Sequence, residues 1–257
     1  MPATRADDRL VELAEAAGLA GLLPSGVVLV ALVGPGERLP LPPAEATAAQ
    51  VLPRGRAGEF IAGRWCAHRA LERLGCPEVV IGSGPHGEPC WPEGFTGSIT
   101  HKPGTAVAVA AREAIGVDLE RAAALPSAIR QRVLLPAEPD LPRGFPAPAA
   151  VAERIAFSTK EAYYKWHFSA HAGGRRPVFA DVRVRLRADG HPHTGRCPRT
   201  PGEPATSGWP RAGWLPASGR LVVEPAPGMP PAVGAWACGP RWILTAVWAA
   251  TASGWLW

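Results

Sequence analysis

Thirty prolines and 29 glycines among 257 residues constrain this chain more than any other feature. Proline removes a backbone donor, and glycine costs entropy inside regular elements. Long helices are therefore confined to the stretches between the proline clusters at 35–43, 136–148 and 192–231. Two such stretches carry apolar residues at helical spacing. Residues 56–74 repeat Phe60, Ala67, Leu71 and Leu74 and end at Gly75. Residues 151–168 carry Ile155, Phe157, Tyr163, Tyr164 and Trp166. A shorter helix is expected over 7–20, on Leu10, Leu13, Ala14 and Ala17, and a weak one over 44–52. Short strands are expected at 26–33, 78–83, 97–101, 106–111, 116–120, 178–186 and 242–249, and 188–235 reads as mostly loop. Helices and strands mix without regular βαβ alternation, which specifies an α+β fold with a natural boundary near 112–116.

Composition narrows the function classes. Hydrophobic residues at 47% and charged residues at 19% describe a chain that buries a core. No run approaches the ~20 apolar residues of a membrane span. Charged Arg5, Asp7, Asp8 and Arg9 make the N-terminus a poor signal peptide. Cys66, Cys76, Cys90, Cys197 and Cys238 are scattered and form no CxxC pair, so neither a disulfide framework nor a zinc site is indicated. The expected location is the reducing cytoplasm. A net charge of +5 suits phosphate-rich small molecules, acidic proteins or nucleic acid. The Trp residues form no stacking stripe, and there is no P-loop or GxGxxG motif.

Four constellations carry possible chemistry. In Ile115-Gly-Val-Asp118-Leu-Glu120, alternation on a strand projects Asp118 and Glu120 to one side. Two close carboxylates call for a cation between them, and Mg²⁺ favours one or two carboxylates plus phosphate oxygens. In Phe157-Ser-Thr-Lys160-Glu161-Ala-Tyr-Tyr-Lys165, Glu161 and Lys165 share a helical face. Glu161 suits a metal, and Lys160 and Lys165 suit phosphate. Gly97-Ser98-Ile-Thr100-His101-Lys102 gathers hydroxyls, an imidazole and an ammonium, a set that fits phosphate. Arg56 and Arg64, on one polar helix face with His68, could clamp a second phosphate. Each has a plain alternative: a solvated strand end, a surface i,i+4 pair, a core histidine, or arginines that serve solubility.

The order of these motifs resembles the 4′-phosphopantetheinyl transferases of the Sfp type, in particular their actinobacterial and enterobactin-synthetase-like branch. The resemblance spans about residues 50–250. It rests on Arg56-Ala-Gly-Glu-Phe-Ile-Ala-Gly-Arg64, Gly87-Glu-Pro-Cys-Trp-Pro92, Gly97-Ser-Ile-Thr-His101, Ile115-Gly-Val-Asp-Leu-Glu120 and Phe157-Ser-Thr-Lys-Glu-Ala-Tyr-Tyr-Lys165. Two positions depart from the pattern. Ser83 stands where relatives often carry a basic residue, and Lys102-Pro103 follows the histidine where many have Cys or Ser.

The resemblance implies a pseudodimer of two similar α+β halves, 1–114 and 115–257, with the active site in the cleft between them. It implies transfer of phosphopantetheine from coenzyme A to a serine of an acyl or peptidyl carrier protein, with 3′,5′-adenosine bisphosphate released. Asp118, Glu120 and Glu161 would hold Mg²⁺, and Lys165 would contact the pyrophosphate. Glu161 or a metal-bound water would take the serine proton. His101, with Ser98 and Thr100 shaping its loop, would bind a phosphate, and Arg56 and Arg64 would hold the 3′-phosphate region. The carrier would belong to a fatty-acid, polyketide or nonribosomal-peptide synthase, in secondary metabolism. Arg175, Arg176, Arg183, Arg185 and Arg187 form a candidate docking surface for it. A monomer is expected, with no nucleic-acid or membrane partner. The alternatives are another Mg²⁺-dependent phosphate or nucleotide enzyme, a non-catalytic relative that binds coenzyme A, and a basic nucleic-acid module.

Overall fold

A computed structural model describes residues 14–250 apart from 78, 140, 143, 172–174 and 188–216. Residues 7–13 of the first expected helix and 188–216 of the expected loop lie outside these. The chain is α+β. In order it runs α1 (Ala14–Ala20), β1 (Val28–Val33), α2 (Pro43–Gln50), α3 (Arg54–Arg73), β2 (Gly82–Ser83), β3 (Pro89–Cys90), β4 (Thr96–Lys102), β5 (Thr105–Ala111) and β6 (Ile115–Arg121). It continues with α4 (Ser127–Val133), α5 (Ala149–Ala170), a 3₁₀ turn (Phe179–Asp181), β7 (Val182–Leu186), β8 (Ala217–Pro225), β9 (Ala232–Cys238) and β10 (Trp242–Ala249).

Two antiparallel sheets share the work. One has the order β1-β5-β4 and the other β6-β10-β9-β8-β7; β2 and β3 form a separate hairpin. Strand alternation sorts the side chains into layers. Val30, Leu32, Ala106, Ala108 and Ala110 pack on α3, while Val107, Val109, Ile115, Val117, Leu119, Leu244 and Ala246 form an apolar layer shared by the two sheets. The far face of the five-stranded sheet packs Ile243, Val247 and Trp236 with the α5 residues Ile155, Tyr163 and Trp166. This places β4 beside β6, with α3 behind the first and α5 behind the second.

Three readings of the sequence change. Residues 217–225 and 232–238 are strands rather than loop, because their prolines stand at a strand end (Pro225) and in the 226–231 connection, where no ladder donor is needed. The start of the 178–186 segment is a 3₁₀ turn, in which the Val178 N–H donates to Asp181 Oδ2 at 2.8 Å. The short helix α4 has too few residues to show a period.

Candidate functional site

The site begins with a close approach. A Cβ on Gly116 would lie 2.0 Å from the Ala162 carbonyl oxygen and 2.7 Å from the Trp166 nitrogen, so only glycine lets α5 lie this close to β6. From there the strand and the helix mesh in opposite directions. Residues 116, 118 and 120 face the helix in steps of two, and the helix answers in steps of about four. Ser158 Oγ donates to Asp118 Oδ2 at 2.9 Å and lies 2.9 Å from Thr245 Oγ1 on β10. Arg154 Nη1 donates to Glu120 Oε2 at 3.2 Å. Lys165 Nζ donates to Asp118 Oδ1 at 2.9 Å and to the Val117 carbonyl at 3.0 Å.

Strand β4 closes the other side. Its even residues face β6: Thr100 Oγ1 donates to Asp118 Oδ1 at 3.3 Å and accepts the Leu119 N–H at 3.1 Å. Lys102 Nζ donates to Glu120 Oε1 at 2.7 Å. Its odd residues face α3. A Cβ on Gly63 would lie 2.7 Å from Ile99 Cγ2, which marks a second close approach. One step along the strand and one turn back along the helix, His101 meets Glu59 and Arg56. Arg56 Nη1 donates to His101 Nε2, and His101 Nδ1 lies 3.2 Å from Glu59 Oε2 at ion-pair distance. Burial, then the Arg56 charge, hold the His101 imidazole below its ordinary value, which agrees with a neutral ring accepting from Arg56.

The structure thus brings Asp118, Glu120, Lys165, Thr100, His101 and Arg56 together from both sheets and both long helices. Glu161 belongs with them electrostatically. Burial, first, and then the Asp118 charge push its carboxyl up, with Glu120 adding to the effect and Lys165 and Lys102 opposing it. Asp118 and Glu120 are themselves buried, with all but 5% and 6% of their surface covered.

Two expected phosphate contacts lie elsewhere. Lys160 is buried, and all three of its N–H groups are occupied: Val133 O at 2.7 Å, Glu138 Oε2 at 2.7 Å and Phe179 O at 3.1 Å. Arg64 is also buried and donates Nη2 to Gly82 O and Ser83 Oγ, while His68 pairs with Glu45 at 2.8 Å. The expected polar face of α3 is therefore split, and Arg64 does not join Arg56. The candidate docking arginines are also engaged. Arg175 pairs with Asp181 at 2.6 Å, Arg185 with Glu224 at 2.7 Å, and Arg183 donates to Pro136 O.

Ser98 has another position. Its hydroxyl is buried and has no hydrogen-bond partner among the described residues. It lines a cavity of about 440 Å³ between the β2–β3 hairpin, β4 and α5, with Trp91, Ile99, Tyr164, Lys165 and Phe168. Lys165 therefore touches both the Asp118 carboxylate and the cavity.

Sequence reasoning missed Ser158, Thr245 and Arg154. The signal was present for two of them: 154, 158, 161 and 165 fall on one helical stripe at 4-3-4 spacing. Thr245 gave no signal, because its place beside Asp118 comes from strand pairing.

Comparison with known proteins agrees with this arrangement. Residues 43–111 match the 4′-phosphopantetheinyl transferase N-terminal domain, and residues 114–212 match the 4′-phosphopantetheinyl transferase superfamily. The chain is 41% identical over 146 residues to 4′-phosphopantetheinyl transferase PptT of Mycobacterium tuberculosis, covering 55% of this chain and 63% of that protein. It is 37% identical over 155 residues to 4′-phosphopantetheinyl transferase Npt of Nocardia iowensis, covering 58% of this chain and 69% of that protein. With enterobactin synthase component D of Salmonella austin it shares 37% identity over 113 residues, covering 44% of this chain and 48% of that protein. The matches span about half to two thirds of these curated relatives' lengths. Two adjoining domain matches, meeting where β5 turns into β6, and a relative matched over most of its length place the chain in the 4′-phosphopantetheinyl transferase family.

Proposed function

We propose that the protein transfers the 4′-phosphopantetheine group of coenzyme A to a serine hydroxyl of an acyl or peptidyl carrier protein and releases 3′,5′-adenosine bisphosphate. One observation carries the reading: three carboxylates and two ammonium groups converge at the β4–β6 seam, beside a cavity that Lys165 also lines. In the reaction, the serine oxygen forms a bond to the pantetheine-bearing phosphorus, and the pyrophosphate bridge breaks. Such a displacement needs charge neutralisation and a proton acceptor more than covalent help.

Each residue has a part that its geometry supports. Glu161, which stands among the carboxylates and near Lys165, accepts the serine proton. Lys165 faces the cavity and neutralises charge on the leaving phosphate. His101 and Arg56 take another phosphate of coenzyme A, and the unpartnered Ser98 hydroxyl donates to the ligand in the cavity. Thr100 and Ser158 hold the Asp118 carboxylate in place. Lys160 has no N–H left for phosphate; it ties α5 to the 133–138 segment.

The residues also fit Mg²⁺. Asp118 and Glu120 both raise the Glu161 carboxyl, the mark of oxygen donors crowded around a place that favours a hard cation. Asp118, Glu161 and Glu120 would hold it, and when bound it would neutralise the pyrophosphate. Among the described residues, side-chain ammonium and guanidinium groups satisfy Asp118 and Glu120, and no cluster of three metal-ligating side chains is preformed.

The same reading covers the architecture. The halves 1–114 and 115–257 are proposed as similar units, because each packs one long helix, α3 or α5, on one antiparallel sheet. The enterobactin synthase relative supports a carrier from secondary metabolism. No described helix is long and apolar enough to cross a membrane. A cytoplasmic monomer acting on a carrier, without nucleic acid, completes the proposal. The test is to incubate the protein with coenzyme A, Mg²⁺ and apo carrier proteins and to weigh the carriers. A mass gain of one phosphopantetheine is expected, and no gain on fatty-acid, polyketide or peptide carriers overturns the reading.

A further inference from the structure

Glu120 is held by two cations that differ in kind. Arg154 is fixed: besides Glu120, it donates Nε to Ala123 O at 2.8 Å and Nη2 to Ala124 O at 2.7 Å. Lys102 has Glu120 as its one hydrogen-bond partner among the described residues. Its side chain is 33% exposed, against 13% for Arg154 and 8% for Glu120. Lys102 sits at the end of β4 next to His101, and its charge reaches both His101 and Glu161. A part-exposed ammonium with one partner is thus near enough to Glu161 and His101 for its charge to act on both, while a tethered guanidinium keeps Glu120 in place whether or not Lys102 stays.

We propose that Lys102 is an exchangeable counter-ion: its ammonium holds Glu120 before metal binds and passes to the pyrophosphate of the substrate when a divalent cation takes the carboxylates. The inference rests on the transferase reading and assigns this chain a phosphate-contacting residue at the position where many members of the family have Cys or Ser. The ammonium and the metal compete for Glu120, so removing the ammonium helps the metal alone. The ammonium serves the anion, so removing it harms substrate binding. The two effects have opposite signs, whereas a purely structural residue would weaken both.

Calorimetric titration separates these cases. Lys102→Gln is expected to bind Mg²⁺ alone about two- to fivefold more tightly than the wild type, and coenzyme A at saturating Mg²⁺ about two- to fivefold more weakly, as loss of one part-exposed ion pair implies. Lys102→Arg should restore both values. Weaker Mg²⁺ binding, or unchanged coenzyme A binding, in Lys102→Gln overturns the exchange. On the wild-type protein, the Lys102 ammonium resonance should move when Mg²⁺ is added, and a resonance that stays in place overturns it independently of any variant. A wild type that modifies no carrier defeats the transferase reading; a wild type that modifies carriers while Lys102→Gln titrates like it defeats the exchange alone.

Discussion

Two lysines five residues apart on α5 hold carboxylates and do opposite work. Lys160 and Glu138 form a sealed pair, with side chains 1% and 0% exposed. Every donor and acceptor there is matched, since Glu138 also accepts the Leu135 and Val184 N–H groups at 2.7 Å each. Lys165 and Asp118 sit at a seam, with Lys165 27% exposed and lining the cavity. A saturated pair can only staple, and here it joins three segments. A pair with one exposed end can exchange partners, which is what a site for a polyanion requires. The two are separated by helical geometry. At ~100° per residue, Lys160 faces the buried side with Ala156 and Tyr163, and Lys165 shares the stripe of Arg154, Ser158 and Glu161.

The comparison is most exposed to failure at the seam. Glu161→Ala and Lys165→Met should each slow carrier modification by about 10²–10⁴-fold while the helical signal in circular dichroism is kept. Wild-type rates in either variant would break the assignment. At the staple, Lys160→Met should leave a buried carboxylate unpaired and cost about 3–5 kcal/mol in urea unfolding. Lys160→Met with Glu138→Gln should recover part of that loss, and the rate per folded molecule should stay near wild type. If Lys160→Met instead folds normally but loses coenzyme A binding, the two lysines have been assigned the wrong way round.

A smaller effect joins the seam to stability. The folded state raises the Glu161 proton affinity, so ionising that carboxyl costs the fold. The cost is absent below the unfolded value of ~4.3 and grows as pH rises through the folded value. Glu161→Gln should therefore melt higher than wild type at neutral pH and no higher at pH 4, read by thermal denaturation. The smallest effect is local. Arg56→Met should move the His101 titration up toward its ordinary 6.5, as followed by NMR; no movement would remove Arg56 from the cluster.

Much of this was legible beforehand. The two long helices and six of the expected strands stand where alternation and helical spacing put them, because apolar periodicity reports which face must be buried. β8 and β9 were not, because proline and glycine signal a turn equally well inside a loop and at the rim of a sheet. Of the site, Asp118, Glu120, Glu161, Lys165 and His101 were named from local spacing. The burial of Arg64 and Lys160 was not legible, because charge suggests exposure, whereas Arg64 Nη2 donates to the Gly82 carbonyl and Lys160 Nζ to the Val133 carbonyl, both far away in sequence.

By itself the sequence determined which side chains share a strand face or a helical stripe, since those periods are local properties of the backbone. The tertiary structure alone decided which of those faces meet. Two glycine contacts, Gly116 against α5 and Gly63 against β4, set the depth at which helix and strand approach. Strand pairing then brought Thr245 beside Asp118, and the packing of two sheets brought Lys102 to Glu120. Charge can be read along a chain, but whether a charge ends up stapled or free to exchange depends on partners that only the packed fold supplies.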